Sequence, residues 1–330
     1  MHLAKKEHKK GGVSMDNNVF IIGNGFDLDL GLKTKYSNFA DSEYWIRNDR
    51  ILMCKSFNNS RNKDTWFDLE GELLNYSKRY NANDHSFRDY MKEVQFPEIV
   101  KENVDYFKNL CSSLNDYIEK AQKEQEIKKE CTACSVLKAI YTNGLFSNIY
   151  SFNYTDLNHI AKQIGIDKEI KYTHIHGCVA DKSIILGVDE TELRKGYECF
   201  HKSSSRYYRS HDLYNSLIKA KEIVIFGLSL GSVDYSYFDA FFRRITEGGL
   251  IDENEKQFIT IFTLNDESRL SLVSNLRNMG INIQRLYAQS HFQIICTEDD
   301  GEKKELEDFY GRLKKFNREF YLKNPEVVRF

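Results

Sequence analysis

From Asn18 the chain reads NVFIIGNGFDLDLGL, an apolar run of β-branched and aromatic residues stopped at once by Gly23, Asn24 and Gly25. A run that short, apolar without alternation and closed by glycines, is the pattern of a strand buried on both faces, and such strands belong to parallel sheets. Glycines directly after the strand let backbone come close to a neighbour, so the chain can turn there toward a helix or a ligand.

Comparable runs recur at 146–152 (FSNIYSF), 170–175 (IKYTHI), 183–188 (SIILGV), 222–228 (EIVIFGL), 258–264 (FITIFTL) and 281–286 (INIQRL), most of them separated by helical patterns. The alternation predicts an α/β fold with a doubly wound, mainly parallel, Rossmann-like sheet, right-handed crossovers and ligands at the carboxyl ends of the strands. The stretch 66–140 breaks the alternation: it is long, charged and periodic in apolar residues such as Leu69, Leu73, Leu74, Phe107 and Leu110. It reads as a helical insertion that caps the sheet, with the Rossmann-like nucleotide-binding domain formed by 18–65 and 141–330. Residues 1–17 read as a flexible leader, with Met15 an alternative start. Leu306, Phe309, Tyr310, Leu313 and Phe316, three and four apart, predict an amphipathic helix over 302–320.

Composition narrows the function classes. Across 330 residues, 47 Lys and Arg face 49 Asp and Glu, a net charge of −2, which points to no dedicated nucleic-acid surface. The longest uncharged stretch, 139–155, is studded with Asn, Ser and Thr, so no membrane helix is expected. The N-terminal lysines are not followed by an apolar signal core, and seven scattered cysteines suit reduced thiols, so the expected location is cytoplasmic.

Four polar turns follow predicted strands. In the first, Gly23, Asn24, Gly25 and Phe26 either cradle a nucleotide or make a tight strand-to-helix connection, and Asp27 either bonds a ribose hydroxyl or orders a water. Leu28 stands where a GxGxxG fingerprint has its third glycine, which counts against a dehydrogenase. In the second, Ser151 and Asn153 end a strand, and Asn153 either holds a substrate hydroxyl or caps the next helix. In the third, His174, His176 and Cys178 share one side of a continued strand but have no fourth ligand or paired spacing, so no metal is expected. In the fourth, Ser229, Ser232 and Asp234 either cap a helix or face the same cleft. The first and fourth turns are expected side by side at the carboxyl edge.

These segments, IIGNGFDLDLGLKTKYSNF, WFDLE at 66–70, SFNYTDL from Ser151, HIHG from His174 and FGLSLGSVDYSYF from Phe226, resemble in kind and order the AbiH family of bacteriophage abortive-infection proteins. The resemblance runs from Val19 to about Phe242 and implies a role in phage defence. More distantly the order resembles the sirtuin-like NAD-binding fold: a glycine turn, an Asn-bearing strand end, a His-Gly pair and a GxSL turn. That resemblance implies a sirtuin-like pocket with Asn153 near the nicotinamide ribose, His176 at the catalytic histidine and Ser229 near the adenylate. Thr155 stands where the sirtuin pattern has Asp, and the four-cysteine zinc ribbon is missing, so deacylation is not expected.

The expectation is therefore a nucleotide pocket that hydrolyses NAD to nicotinamide and ADP-ribose. Asn153 would place a water or ribose hydroxyl, His176 would act as general base, and Asp27 would stabilise the ribosyl cation. Gly23, Asn24, Gly25, Phe26, Ser151, Ser229 and Asp234 would line the pocket. No cofactor is required beyond NAD or a related nucleotide as substrate or ligand. The alternative is a non-catalytic nucleotide sensor that signals through its cap or through homo-oligomerisation, with a phage-derived trigger in either case; a nuclease-like toxin built on His174 and His176 is a third reading. Trp66 and Glu70 would either close the site or serve as a buried anchor and its charged partner.

Overall fold

Six strands, β1 (Val19–Ile22), β2 (Asn148–Ser151), β3 (Thr173–His174), β4 (Glu222–Phe226), β5 (Phe258–Thr263) and β6 (His291–Cys296), form one sheet in the order β3-β2-β1-β4-β5-β6, every pair parallel. This is the doubly wound Rossmann order, with its reversal between β1 and β4, the point at whose carboxyl edge folds of this kind place their ligands. The computed structural model describes residues 18–61, 67–78, 87–144, 146–189, 191–209 and 211–323. The expected leader and Trp66 lie outside the described residues.

The helices are α1 (Asn24–Asp29), α2 (Tyr36–Asp41), α3 (Leu52–Arg61), α4 (Leu69–Ser77), α5 (Phe87–Gln95), α6 (Glu98–Glu124), α7 (Thr132–Asn143), α8 (Leu157–Gln163), α9 (Leu213–Lys219), α10 (Tyr235–Glu247), α11 (Asp266–Asn278), α12 (Ile283–Gln289) and α13 (Lys303–Lys323). Alternate residues of β1 serve opposite faces, as a pleated strand requires. Phe20 and Ile22 pack with α7, α8 and α13, while Val19 and Ile21 pack with α9, α10, α11 and α12. All four are at most 1% exposed, and each such side chain contributes roughly 1.5–3 kcal/mol relative to exposure.

A third cluster joins Phe39, Phe57, Leu69, Leu73, Phe107 and Leu110 from α2, α3, α4 and α6. It lies beyond the carboxyl ends of β2 and β3, where Tyr154, Cys178 and Val179 join it. Within the segment expected as an insertion, α4 and α6 belong to this cluster, whereas Ala133, Val136, Leu137 and Ile140 of α7 lie under the sheet. The expected C-terminal helix is α13, tied to the sheet by Phe309 and Leu313 and by Arg312, whose guanidinium donates to both carboxylate oxygens of Glu222 at 3.0 and 3.1 Å.

Two expected strands are corrected. Residues 183–188 are extended but make a single bridge, Val188 to His201, because β3 ends the sheet and Leu186 and Val188 are instead claimed by the third cluster. Residues 281–286 begin α12: the Asn282 side chain accepts from the Arg285 amide, and Ile283 and Leu286 lie one helical turn apart. The true final strand is β6. Among the described residues no helix is long and apolar enough to cross a membrane.

Candidate functional site

The glycine turn after β1 is fastened to the turn after β4. The Gly23 amide donates to the Phe226 carbonyl and the Gly25 amide to the Gly227 carbonyl, both at 2.8 Å. A Cβ on Gly25 would stand 2.5 Å from the Gly227 Cα, and Gly227 itself has φ +70°, so the close crossing of the two backbones accounts for both glycines. Gly23 and Gly25 thus spend their amides on the protein. Phe26 is fully buried, edge-on to Phe226 in the core, and Asn24 accepts a hydrogen bond from Thr34 Oγ1 at 2.6 Å.

Asp27, one turn further, projects into a polar cluster. Asn153 Nδ2 donates to its Oδ1 at 2.8 Å, and the Thr155 hydroxyl lies 3.0 Å from Oδ2 and 3.2 Å from Oδ1. Burial raises the Asp27 carboxyl to about 7, against the lowering effect of those donors. Asn153 does not cap α8; Asp156 does, accepting from the Asn158 amide at 2.9 Å. Thr155, which departs from the sirtuin pattern, is itself a partner of Asp27. The Ser151 hydroxyl accepts from the Asn153 amide at 3.2 Å and so shapes the turn that presents Asn153.

The residue between the two donors, Tyr154, faces a second polar group. Its hydroxyl is 3.1 Å from that of Tyr36, and burial, with the nearby charge of Glu70 adding to it, holds both phenols well above the ordinary tyrosine range. Glu70 Oε2 accepts from Lys202 Nζ at 3.3 Å, while Glu70 Oε1 is buried without a partner. Lys202 Nζ also stands 3.4 Å from His176 Nε2 and 3.8 Å from Asp189 Oδ1. Burial works against the Lys202 ammonium, but Glu70, Asp189 and Asp234 outweigh it and keep its pKa above the ordinary value.

The His176 ring packs against Phe152 at 5.3 Å and Tyr237 at 5.8 Å between centroids. Burial, then the charge of Lys202, drives its pKa well below 6.5, so it is a neutral imidazole. Gly177, with φ +75°, turns the chain after it, and Cys178 goes to the third hydrophobic cluster instead of continuing the His174, His176 side. Asp234 makes no side-chain cap on α10; it is buried, with its carboxyl raised to about 7 by burial against the pull of Lys202. Ser229 is exposed, and its carbonyl accepts from Asn275 Nδ2 at 2.9 Å.

The structure therefore gathers Asp27, Asn153 and Thr155 in one group and Glu70, His176, Lys202, Asp189 and Asp234 in another, with residues 152–155 running between them. Sequence reasoning had no signal for Lys202 or Asp189, and Thr155 and Tyr154 were in view within SFNYTDL without an assigned role. Asp27 is 1% exposed, Lys202 2%, Asn153 and His176 6% each, so a ligand reaches these side chains only if the layer over them moves.

The family model for bacteriophage abortive infection AbiH matches residues 19–250, a span holding both polar groups. Neither a curated protein nor a solved structure matches the chain significantly. With most of its length matched by that model, the chain belongs to the AbiH family of bacteriophage abortive-infection proteins.

Proposed function

We propose that this abortive-infection protein hydrolyses the nicotinamide–ribose bond of NAD, or the corresponding bond of a related nucleotide, at the carboxyl edge of β1 and β2. The observation that carries this reading is the Asp27 carboxyl, brought near neutrality by burial and held by Asn153 and Thr155 beside the reversal of strand order. Nicotinamide leaves with the bonding electron pair, and the ribosyl cation is met by the Asp27 carboxylate. Water then bonds to the ribosyl carbon and gives its proton to Asp27, which releases it to solvent. Asn153 orients the water or a ribose hydroxyl. Neutral His176 is too weak a base to compete with Asp27 and serves as a hydrogen-bond partner for substrate.

The distant resemblance of the motif order to the sirtuin-like NAD-binding fold is what favours NAD as the nucleotide. A second reading, a nucleotide sensor without turnover, is favoured by the burial of Asp27, Asn153, His176 and Lys202. Incubation of the protein with NAD and measurement of free nicotinamide separates the two. Hydrolysis predicts release that falls at least about a hundredfold in Asp27→Asn and Asn153→Ala, with a wild-type rate that declines as pH drops below about 7. A melting-temperature shift with NAD and no nicotinamide would establish the sensor instead.

A further inference from the structure

A cleft of about 270 Å³ lies between α6 and two loops, lined by Asn115, Asp116, Lys182, Ile184, Arg206 and Tyr207 among others. It shares no lining residue with the polar groups described above. Asn115 is 6% exposed, and its Oδ1 is buried without a hydrogen-bond partner, an arrangement that costs stability unless something binds there. Asp116 follows it on α6 and is exposed. Lys182, at the end of the short turn Val179–Asp181, is set by a left-handed backbone with φ +55° and carries its ammonium in the open. The Arg206 guanidinium lies 4.6 Å over the Tyr207 ring and bonds its hydroxyl, which fixes the fork and the ring relative to one another.

We propose that this cleft binds a nucleoside monophosphate whose base carries an exocyclic amino group. The functional groups match part by part. The unpartnered Asn115 carbonyl, once its amide rotates into the cleft, accepts from the base amino group, and the Tyr207 ring supplies a planar wall. The Asp116 carboxylate takes ribose hydroxyls, as acidic residues do in dinucleotide sites. Lys182 and Arg206 at the mouth neutralise the phosphate, the guanidinium offering paired donors to it. The volume is at the small end for ligand sites, which suits one nucleotide better than two joined. The cleft also adjoins the His176 loop, because the Ile185 amide, next to Ile184, donates to the His176 carbonyl at 2.8 Å. A nucleotide here would bias the segments that carry His176 and Lys202.

The proposal does not depend on NAD hydrolysis. Isothermal titration of the full chain with AMP, adenosine and inorganic phosphate tests it. One AMP per chain is expected, with adenosine and phosphate each at least about tenfold weaker. The double variant Lys182→Gly/Arg206→Ala, both exposed positions, should keep its melting temperature and lose AMP binding at least about tenfold, while Asn153→Ala keeps it. No saturable AMP binding, equal affinity for phosphate alone, unchanged affinity in the double variant, or loss in Asn153→Ala would each overturn it, the last by placing AMP at the sheet edge.

Discussion

Asp27 takes a carboxylate out of water and meets it with neutral donors, Asn153 and Thr155, which recover only part of its hydration. Its pKa therefore stands at about 7 in the folded chain against 3.8 for the free side chain. Between those values the folded state binds more proton than the unfolded state, so this group makes stability fall as pH rises from about 4 to 7. Below the window the penalty is absent and above it the penalty is complete, about 4 kcal/mol at most for a shift of that size. Asp27→Asn keeps an oxygen for Asn153 and removes the charge. Its melting temperature should exceed the wild type's by more at pH 8 than at pH 5, and a difference that does not change with pH would mean that Asp27 is not the titrating group.

The turn after β1 binds the turn after β4 by contact as well as by hydrogen bonds. Gly25→Ala puts a Cβ 2.5 Å from the Gly227 Cα and 3.0 Å from its carbonyl oxygen, both backbone atoms of paired strand ends. Relief requires moving β1 against β4, with a cost of about 1–3 kcal/mol and a melting temperature several degrees lower. Gly249→Ala, with nothing within 4 Å of its new Cβ, should melt with the wild type. Equal melting of the two variants would remove the close-packing account. The same scale shows what was legible in the sequence. β1, β2, β4 and β5 are apolar runs ending in small or polar turns, so they could be read. Residues 183–188 are as apolar as a strand because the third cluster covers them, and burial alone does not say whether a neighbour supplies hydrogen bonds. HFQIIC, β6, is hard to read because His291 and Gln293 alternate with buried residues at the sheet's edge, while INIQRL just before it shows the same alternation of apolar and polar residues, Ile281, Ile283 and then Leu286. The Asn282 cap was the signal that separates them.

Across the whole molecule, the candidate site is assembled by loops that sequence distance keeps apart. Asn153 and Asp27 were legible because each ends a recognisable strand-to-helix turn. Lys202 was not, since it sits in a polar stretch, HKSSS, that looks like solvated surface and becomes 2% exposed only when α4, the His176 loop and the start of α10 close around it. That ammonium is the positive centre for Glu70, Asp189 and Asp234, and it joins α4 of the third cluster to the sheet's carboxyl edge. Lys202→Met keeps the bulk and removes the charge, leaving Glu70 and Asp234 as buried acids without compensation, a loss on the order of 3–5 kcal/mol when both are ionised. Their pKa values, already raised in the wild type, rise further, so the folded variant takes up protons that the unfolded chain does not hold. The deficit relative to wild type should be greatest at pH 8 and shrink steadily toward pH 5, as protonation removes the unpaired charge. Glu70→Gln, introduced into Lys202→Met, should recover part of the lost melting temperature at pH 8 and little at pH 5. A deficit equal at both pH values and untouched by Glu70→Gln would show that Lys202 acts by packing its stem, and that no electrostatic tie joins the helical layer to the sheet edge.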